Sequence, residues 1–168
     1  MESKGLDRVY KYTFAGGDFN SYYFTTVDNL TYEIKFVPSS DFFDAYPDLG
    51  VDVFEMVISV ADNPTGGRLK ADSSVAPTIF AIFEAFFLPH QHAIVFICDS
   101  SDGRQLVRHR KFGAWFYNKT ATNDLIAKID RKITDGDQII MLSLLMNRLH
   151  PQLRRIVDMF MFLGEEEK

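Results

Sequence analysis

The feature that most constrains the fold is a segment that is apolar on nearly every side, DSSVAPTIFAIFEAFFLP, residues 72–89. Asp72, Ser73 and Ser74 can cap a helix start, and Pro77 is tolerated in a first turn. The apolar residues recur at the three, four and seven spacing of one helical face, and further phenylalanines cover a second face. The first face consists of Val75, Ile79, Ile82, Phe83 and Phe86. We therefore predict a buried aromatic helix over residues 74–88, packed on most sides across a sheet.

Segments on both sides of this helix have the alternation of β-strands. In YEIKF, Tyr32, Ile34 and Phe36 point one way and the residues between them point the other way, which is typical of a half-buried strand. The preceding turn is predicted at Asp28 and Asn29. Further strands are predicted over RVYKYTF, SYYFTTVD, VDVFEMVISVAD, AIVFIC, DLIAKIDRKI and IIMLSLLMN.

The order of these elements predicts the fold class. Strands lead and helices come late, which favours a single α+β domain over residues 1–168 with a mainly antiparallel sheet of five to seven strands. An amphipathic helix over residues 150–163, with Pro151 in its first turn, completes the packing. We expect an ordered core at residues 8–163 and a solvated tail at residues 164–168.

The net charge of −5 bears on the partners. A general binder of nucleic acid or of anionic membranes needs a broad positive field, so this charge disfavours both classes and leaves room for a local basic patch. The lone Cys98 cannot form an internal disulfide, which favours a reducing cytoplasmic location. No apolar run approaches the ~20 residues of a membrane-spanning helix, and we expect no signal peptide.

The densest chemistry lies in CDSSDGRQLVRHRKFGAWF, residues 98–116. Asp99 and Asp102 follow an apolar strand and can cap a helix near residues 103–116. A helical wheel places Phe112, Phe116 and Leu106 on the buried side. It places four other residues in one row, namely Arg104, Arg108, Lys111 and Trp115.

Two interpretations of that row stay open. Guanidinium groups bind phosphate or carboxylate in a bidentate manner and an indole can stack on a ring, which predicts a non-catalytic module for an acidic or phosphate-bearing partner. Alternatively, the cations pair with the chain's own 23 acidic residues, since basic runs are commonly solvated helix faces.

A second functional class is a hydrolase. Glu33 and Lys35 stand two apart with Asp28 upstream, the skeleton of a metal-dependent nuclease in which carboxylates hold Mg²⁺ and the lysine orients water. The alternation of the strand explains Glu33 and Lys35 equally well as its wet face. The sequence has no phosphate-binding glycine loop, and we predict neither a cofactor nor a metal.

The terminal helix offers a further surface. Met159 and Met161 flank Phe160, so excess apolar surface there could dock a second copy in a homodimer, with ordinary core packing as the alternative.

The segments YKYTF, YEIKF and CDSSDGRQLVRHRKFGAWF together resemble a family of small uncharacterised bacterial proteins, classed as a domain of unknown function. The resemblance covers roughly residues 10–162 and is most specific in the Cys-Asp-x-x-Asp-Gly-Arg segment with the downstream Arg-x-Arg and Trp-Phe. It implies a bacterial cytoplasmic protein and carries over no catalytic residue.

Overall fold

A computed structural model describes residues 8–39, 52–67, 72–87, 92–98, 110–117 apart from 115, and 125–162. Across these residues the chain forms one sheet of seven strands together with three helices, which confirms the predicted α+β class. The strands are β1 (Tyr12–Gly16), β2 (Ser21–Thr25), β3 (Thr31–Pro38), β4 (Val53–Asp62), β5 (Ala93–Cys98), β6 (Ile126–Asp135) and β7 (Gln138–Asn147). The helices are α1 (Val75–Phe87), α2 (helical at residues 110–114 and 116–117) and α3 (Leu153–Met161).

The strands lie in the order β1-β2-β3-β4-β5-β7-β6. The pairs β1-β2, β2-β3, β5-β7 and β6-β7 are antiparallel, and β4 runs parallel to β5. The described residues fall into two compact units, the first within Met1–Val37 and Val57–Pro89 and the second within Pro38–Met56 and His90–Lys168. The single domain over residues 1–168 stays a prediction.

The core of the first unit is aromatic, as the composition of α1 indicated. Phe36 of β3 is fully buried, and its ring stacks on Phe86 of α1 with centroids 4.1 Å apart. Ile82 and Phe83 are buried on the same helix, which is the face given by the helical spacing. The predicted turn before β3 is also present, since Asn29 has φ 62, a left-handed conformation that asparagine tolerates better than most residues.

Hydrogen bonds hold the start of α1 to the segment that precedes β1. Asp72 accepts the Ser74 backbone N–H through Oδ1 at 2.8 Å and the Tyr10 hydroxyl through Oδ2 at 2.5 Å. The Tyr10 backbone N–H donates to Thr78 Oγ1 at 2.8 Å, and this hydroxyl donates to the Ser74 carbonyl. Asp72 therefore satisfies an N–H at the helix start and also fixes Tyr10.

In the second unit, one face of the sheet packs against α3. Val95 and Leu144 are fully buried there, in one cluster with Ile156 and Phe160 of the helix. Arg131 of β6 adds a polar contact, because its Nη1 donates to the Phe160 carbonyl at the helix end over 2.7 Å. The Arg131 side chain thus caps the last turn of α3.

The start of α3 differs from the sequence prediction. The helix begins at Leu153, so Pro151 lies in a turn before the helix and not in its first turn. The Gln152 N–H donates to Nδ1 of the buried His150, and the Leu153 N–H donates to the His150 carbonyl. These bonds form a turn that competes with an earlier start of the helix. Among the described residues, no helix is long and apolar enough to cross a membrane.

Candidate functional site

Two buried phenylalanines fix α2 on the sheet of the second unit. The Phe112 ring stacks on Phe96 of β5 with centroids 4.1 Å apart, and Phe116 lies 6.2 Å from Phe112. Because neighbouring residues of a strand point to opposite faces, Phe96 lies on the face opposite to Val95, which packs against α3. The two helices therefore cover opposite faces of this unit, and Phe112 and Phe116 form the inner side of α2 as predicted.

This anchoring determines which side chains of α2 meet solvent. Arg110, Lys111 and Ala114 are exposed, and Tyr117 has 74% of its surface exposed. Arg110 and Tyr117 are seven residues apart, so they share one side of the helix with Ala114 between them. Gly113 lies on the flank between this row and the sheet.

A polar cluster on the sheet lies beside that flank. Lys128 Nζ is 2.5 Å from Asp130 Oδ1, and the same carboxylate oxygen accepts the hydroxyl of the buried Ser143 at 2.7 Å. The register of the β6-β7 pair places Asp130 opposite Ser143, and strand alternation keeps Lys128, Asp130 and Lys132 on one face. A Cβ on Gly113 would lie 3.7 Å from Lys128 Nζ, so the side chain of Lys128 reaches the backbone of α2 where that helix carries no side chain.

We call the set Arg110, Lys111, Tyr117, Lys128 and Lys132 the α2 surface. Among the described residues it combines four cations with the carboxylate of Asp130, which pairs with Lys128, in a chain whose net charge is −5. Within the described part of the chain, neither Arg110 nor Lys132 forms a salt bridge. Such a local excess of positive charge attracts anions at short range even where the whole molecule is acidic.

The predicted site is only partly within the described residues. Lys111 is exposed on α2, whereas five other predicted residues lie outside the described residues, namely Asp99, Asp102, Arg104, Arg108 and Trp115. Arg110 and Lys128 of the α2 surface were not among the residues predicted from the sequence. The alternation of Lys128, Asp130 and Lys132 in the segment before Gly136 was a signal for a charged sheet face.

Glu33 and Lys35 of the predicted nuclease site make contacts with side chains of the first unit. Glu33 accepts the hydroxyl of Tyr23, its cross-strand partner, and lies 3.6 Å from Lys35 Nζ. Lys35 also lies over the Phe19 ring, 5.8 Å from its centroid. Glu33 is thus held by one phenol and one amine of its own unit.

Asp28 lies in the turn between β2 and β3. It acts electrostatically on Tyr10, which stacks on Phe24 on the face that packs against α1. Glu33 points to the face opposite to Phe24. Among the described residues, no three His, Cys, Asp or Glu side chains form a group that could hold a metal ion.

One carboxyl group has a perturbed pKa without belonging to the α2 surface. Burial raises the pKa of Glu55 on β4 above its ordinary value of 4.5. Its register partner is Val95, so Glu55 points to the face that packs against α3. Removing this carboxylate from water lowers the stability of the folded state. Glu55 does not contribute to the α2 surface.

Comparison with known proteins gives one match. A model described as a family of unknown function, DUF6169, matches residues 71–161. The matched range includes α1, β5, α2, β6, β7 and α3, and with them every residue of the α2 surface. No curated protein and no solved structure matches the chain.

Proposed function

The chain belongs to DUF6169, a family of unknown function, and we propose from its own side chains that it is a non-catalytic binding module that holds an acidic or phosphate-bearing partner on the α2 surface. The observation that carries the proposal is the stack of Phe112 on Phe96. It fixes α2 with Arg110 and Lys111 outward, beside Lys128 of the sheet.

The chemistry of these side chains suits an anion. Arginine binds phosphate or carboxylate through paired N–H donors, and lysine acts as a point charge with three donors. Lys128 is held by Asp130, so its position is fixed before a ligand arrives. A cation that is already ordered loses less side-chain entropy on binding.

The residues predicted from the sequence belong to the same proposal. Arg104 and Arg108 would extend the basic row that contains Lys111, Asp99 and Asp102 would cap the helix, and Trp115 would offer a ring. A bacterial origin is part of the proposal as the family resemblance implies it, and a cytoplasmic location is supported by the single cysteine of the chain, Cys98.

The test compares charge reversals on the two faces of the second unit. Binding of fluorescein-labelled polyphosphate and polyglutamate is measured by anisotropy for the wild type, for Arg110→Glu/Lys111→Glu and for Arg148→Glu/Arg154→Glu. The control changes two exposed arginines away from the α2 surface by the same total charge. We expect the first double variant to bind at least about tenfold more weakly and the control to keep most of its affinity.

Two results would overturn the proposal. One is unchanged binding by Arg110→Glu/Lys111→Glu while its circular dichroism matches the wild type. The other is unfolding of that variant, because the cations would then be members of internal ion pairs.

A metal-dependent nuclease or other hydrolase that uses Asp28, Glu33 and Lys35 has less support, because Glu33 is engaged by Tyr23 and Lys35. Cleavage of nucleic acid in Mg²⁺ or Mn²⁺ by the wild type, lost in Glu33→Ala, would favour it over the binding module.

A further inference from the structure

The α2 surface has an exposed aromatic ring in line with Arg110, and we infer that the partner it binds is single-stranded nucleic acid. This inference rests on the proposed function and adds the class of the partner. Tyr117 is the residue that decides it, because 74% of its surface is exposed although its ring is large and largely apolar.

The spacing on α2 suits a nucleotide chain. Arg110 and Tyr117 lie about 10 Å apart along the helix axis and on the same side. Ala114 is exposed between them, and its short side chain leaves the approach to the ring open. A strand whose phosphate meets Arg110 can therefore place a nearby base against the Tyr117 ring.

Lys128 lies on the flank of α2, where its side chain is 16% exposed and pairs with Asp130. Its Nζ lies beside Gly113, which is between Arg110 and Tyr117 in the sequence of α2. A backbone that passes along this side of α2 meets the Arg110 guanidinium and then the Tyr117 ring, with the Lys128–Asp130 pair on the flank. Cations along a groove with rings for stacking are the combination that proteins use to bind single strands.

The ring distinguishes this partner from the other anions that the cations could bind. An acidic or phosphorylated peptide is recognised through charge and hydrogen bonds, and it gives an exposed tyrosine no particular role. A duplex covers the faces of its bases, and its recognition depends more on a broad positive field, which a chain of net charge −5 does not supply. A single strand exposes base faces and needs fewer phosphate contacts, so it fits a small basic surface with one ring.

The test separates the contribution of the bases to binding from that of the phosphate charge. Affinities are measured by anisotropy for two fluorescein-labelled strands of twelve units, one of thymidine nucleotides and one of the same backbone without bases. Because stacking on an aromatic side chain strengthens binding of a base, we expect the wild type to prefer the thymidine strand by about five- to a hundredfold.

Variants of Tyr117 and Arg110 test which residue provides base stacking and which provides the charge interaction. Tyr117→Ala should lose the preference for bases and keep the affinity for the abasic strand, while Tyr117→Phe should keep both. Arg110→Glu should weaken both strands. Phe162→Ala is the matched control, since Phe162 has 65% of its surface exposed after α3 and should contribute to neither.

The inference is overturned if the wild type binds the two strands equally, if Tyr117→Ala keeps the preference, or if a phosphopeptide of equal charge binds more tightly than the thymidine strand. Polyphosphate binding that still depends on Arg110 and Lys111 would leave the proposed function standing in each case. Loss of all anion binding by the wild type would overturn both.

Discussion

Tyr10 is a residue that ties the stability of the first unit to pH. The hydrogen bond to Asp72 raises the pKa of Tyr10 above its ordinary value of 10.0, and burial adds to the effect. The pKa values of Tyr22, Tyr23 and Tyr32 are raised as well, that of Tyr23 chiefly by its hydrogen bond to Glu33. The folded state therefore holds these protons more tightly than the unfolded state.

We expect the free energy of unfolding to fall as the pH rises through the ordinary tyrosine pKa of 10.0 and to continue falling until the phenols of the folded state ionise. Denaturant unfolding at pH 8 to 11, with phenolate absorbance as a second signal, measures this. Tyr10→Phe removes one contributor and should reduce the slope. A stability that stays constant across this range would contradict the assignment.

The Glu55 carboxyl bears on the stability of the fold and has no part in the proposed binding function. Burial raises the pKa of its carboxyl, so between the ordinary value of 4.5 and the raised value the folded state binds the extra proton. Stability from this group is present at acidic pH and is lost as the pH rises through that window, which leaves a cost at neutral pH.

We expect Glu55→Gln to increase the free energy of unfolding at pH 7, by less than about 1 kcal/mol because the carboxyl remains partly solvated. Glu33→Gln provides a contrast, since Glu33 accepts a hydrogen bond and an ion pair and its change should destabilise. Chemical denaturation of both variants at pH 5 and pH 7 checks the sign. A Glu55→Gln protein that is less stable than the wild type at pH 7 would show that the carboxylate has a stabilising role.

At the scale of elements, α2 depends on few contacts that the structure describes. Phe112 is 7% exposed and stacks on Phe96, so Phe112→Ala leaves a cavity between the helix and β5. We expect a loss of about 3 kcal/mol in the free energy of unfolding together with weaker anion binding, because the cations of α2 lose their fixed position. Thermal unfolding and polyphosphate anisotropy measure the two effects. Full stability in Phe112→Ala would mean that α2 is not anchored through this ring.

The elements themselves were largely predictable from local pattern. α1 was evident because its apolar residues recur at helical spacing, and β5 and β7 were indicated by short continuous apolar runs, which are consistent with strands buried on both faces. The start of α3 was misjudged because Pro151 is equally compatible with a first turn and with the turn that His150 closes. Element boundaries depend on such competing hydrogen bonds, which a helical pattern does not contain.

The candidate site was predictable only in part, because local spacing predicts the faces of a helix and does not predict its neighbours on the sheet. Phe112 and Phe116 indicated the inner side of α2, and Lys111 followed as an outer residue. The place of Lys128 depends on the register of β6 against β7 and on which strand lies under α2. Register and strand order come from contacts that are distant in sequence, so local spacing alone did not link Lys128 to Gly113.

At the scale of the whole molecule, the strand order is the least local property of the fold. The parallel pair β4-β5 is connected through α1, as a parallel pair requires a crossover, and β7 inserts between β5 and β6. The net charge is likewise a property of the whole chain. It disfavours a general polyanion binder, yet it does not describe the α2 surface, where the described cations outnumber the neighbouring carboxylate.

The salt dependence of polyphosphate binding tests the central claim most directly, because each cation that neutralises a phosphate contributes to the slope of log Kd against log salt concentration. The slope is measured by anisotropy for the wild type, Arg110→Glu/Lys111→Glu and Arg148→Glu/Arg154→Glu. We expect the first double variant to lose about two units of slope as well as affinity, and the control to retain the wild-type slope. Equal slopes for all three folded proteins would contradict the assignment of anion binding to the α2 surface.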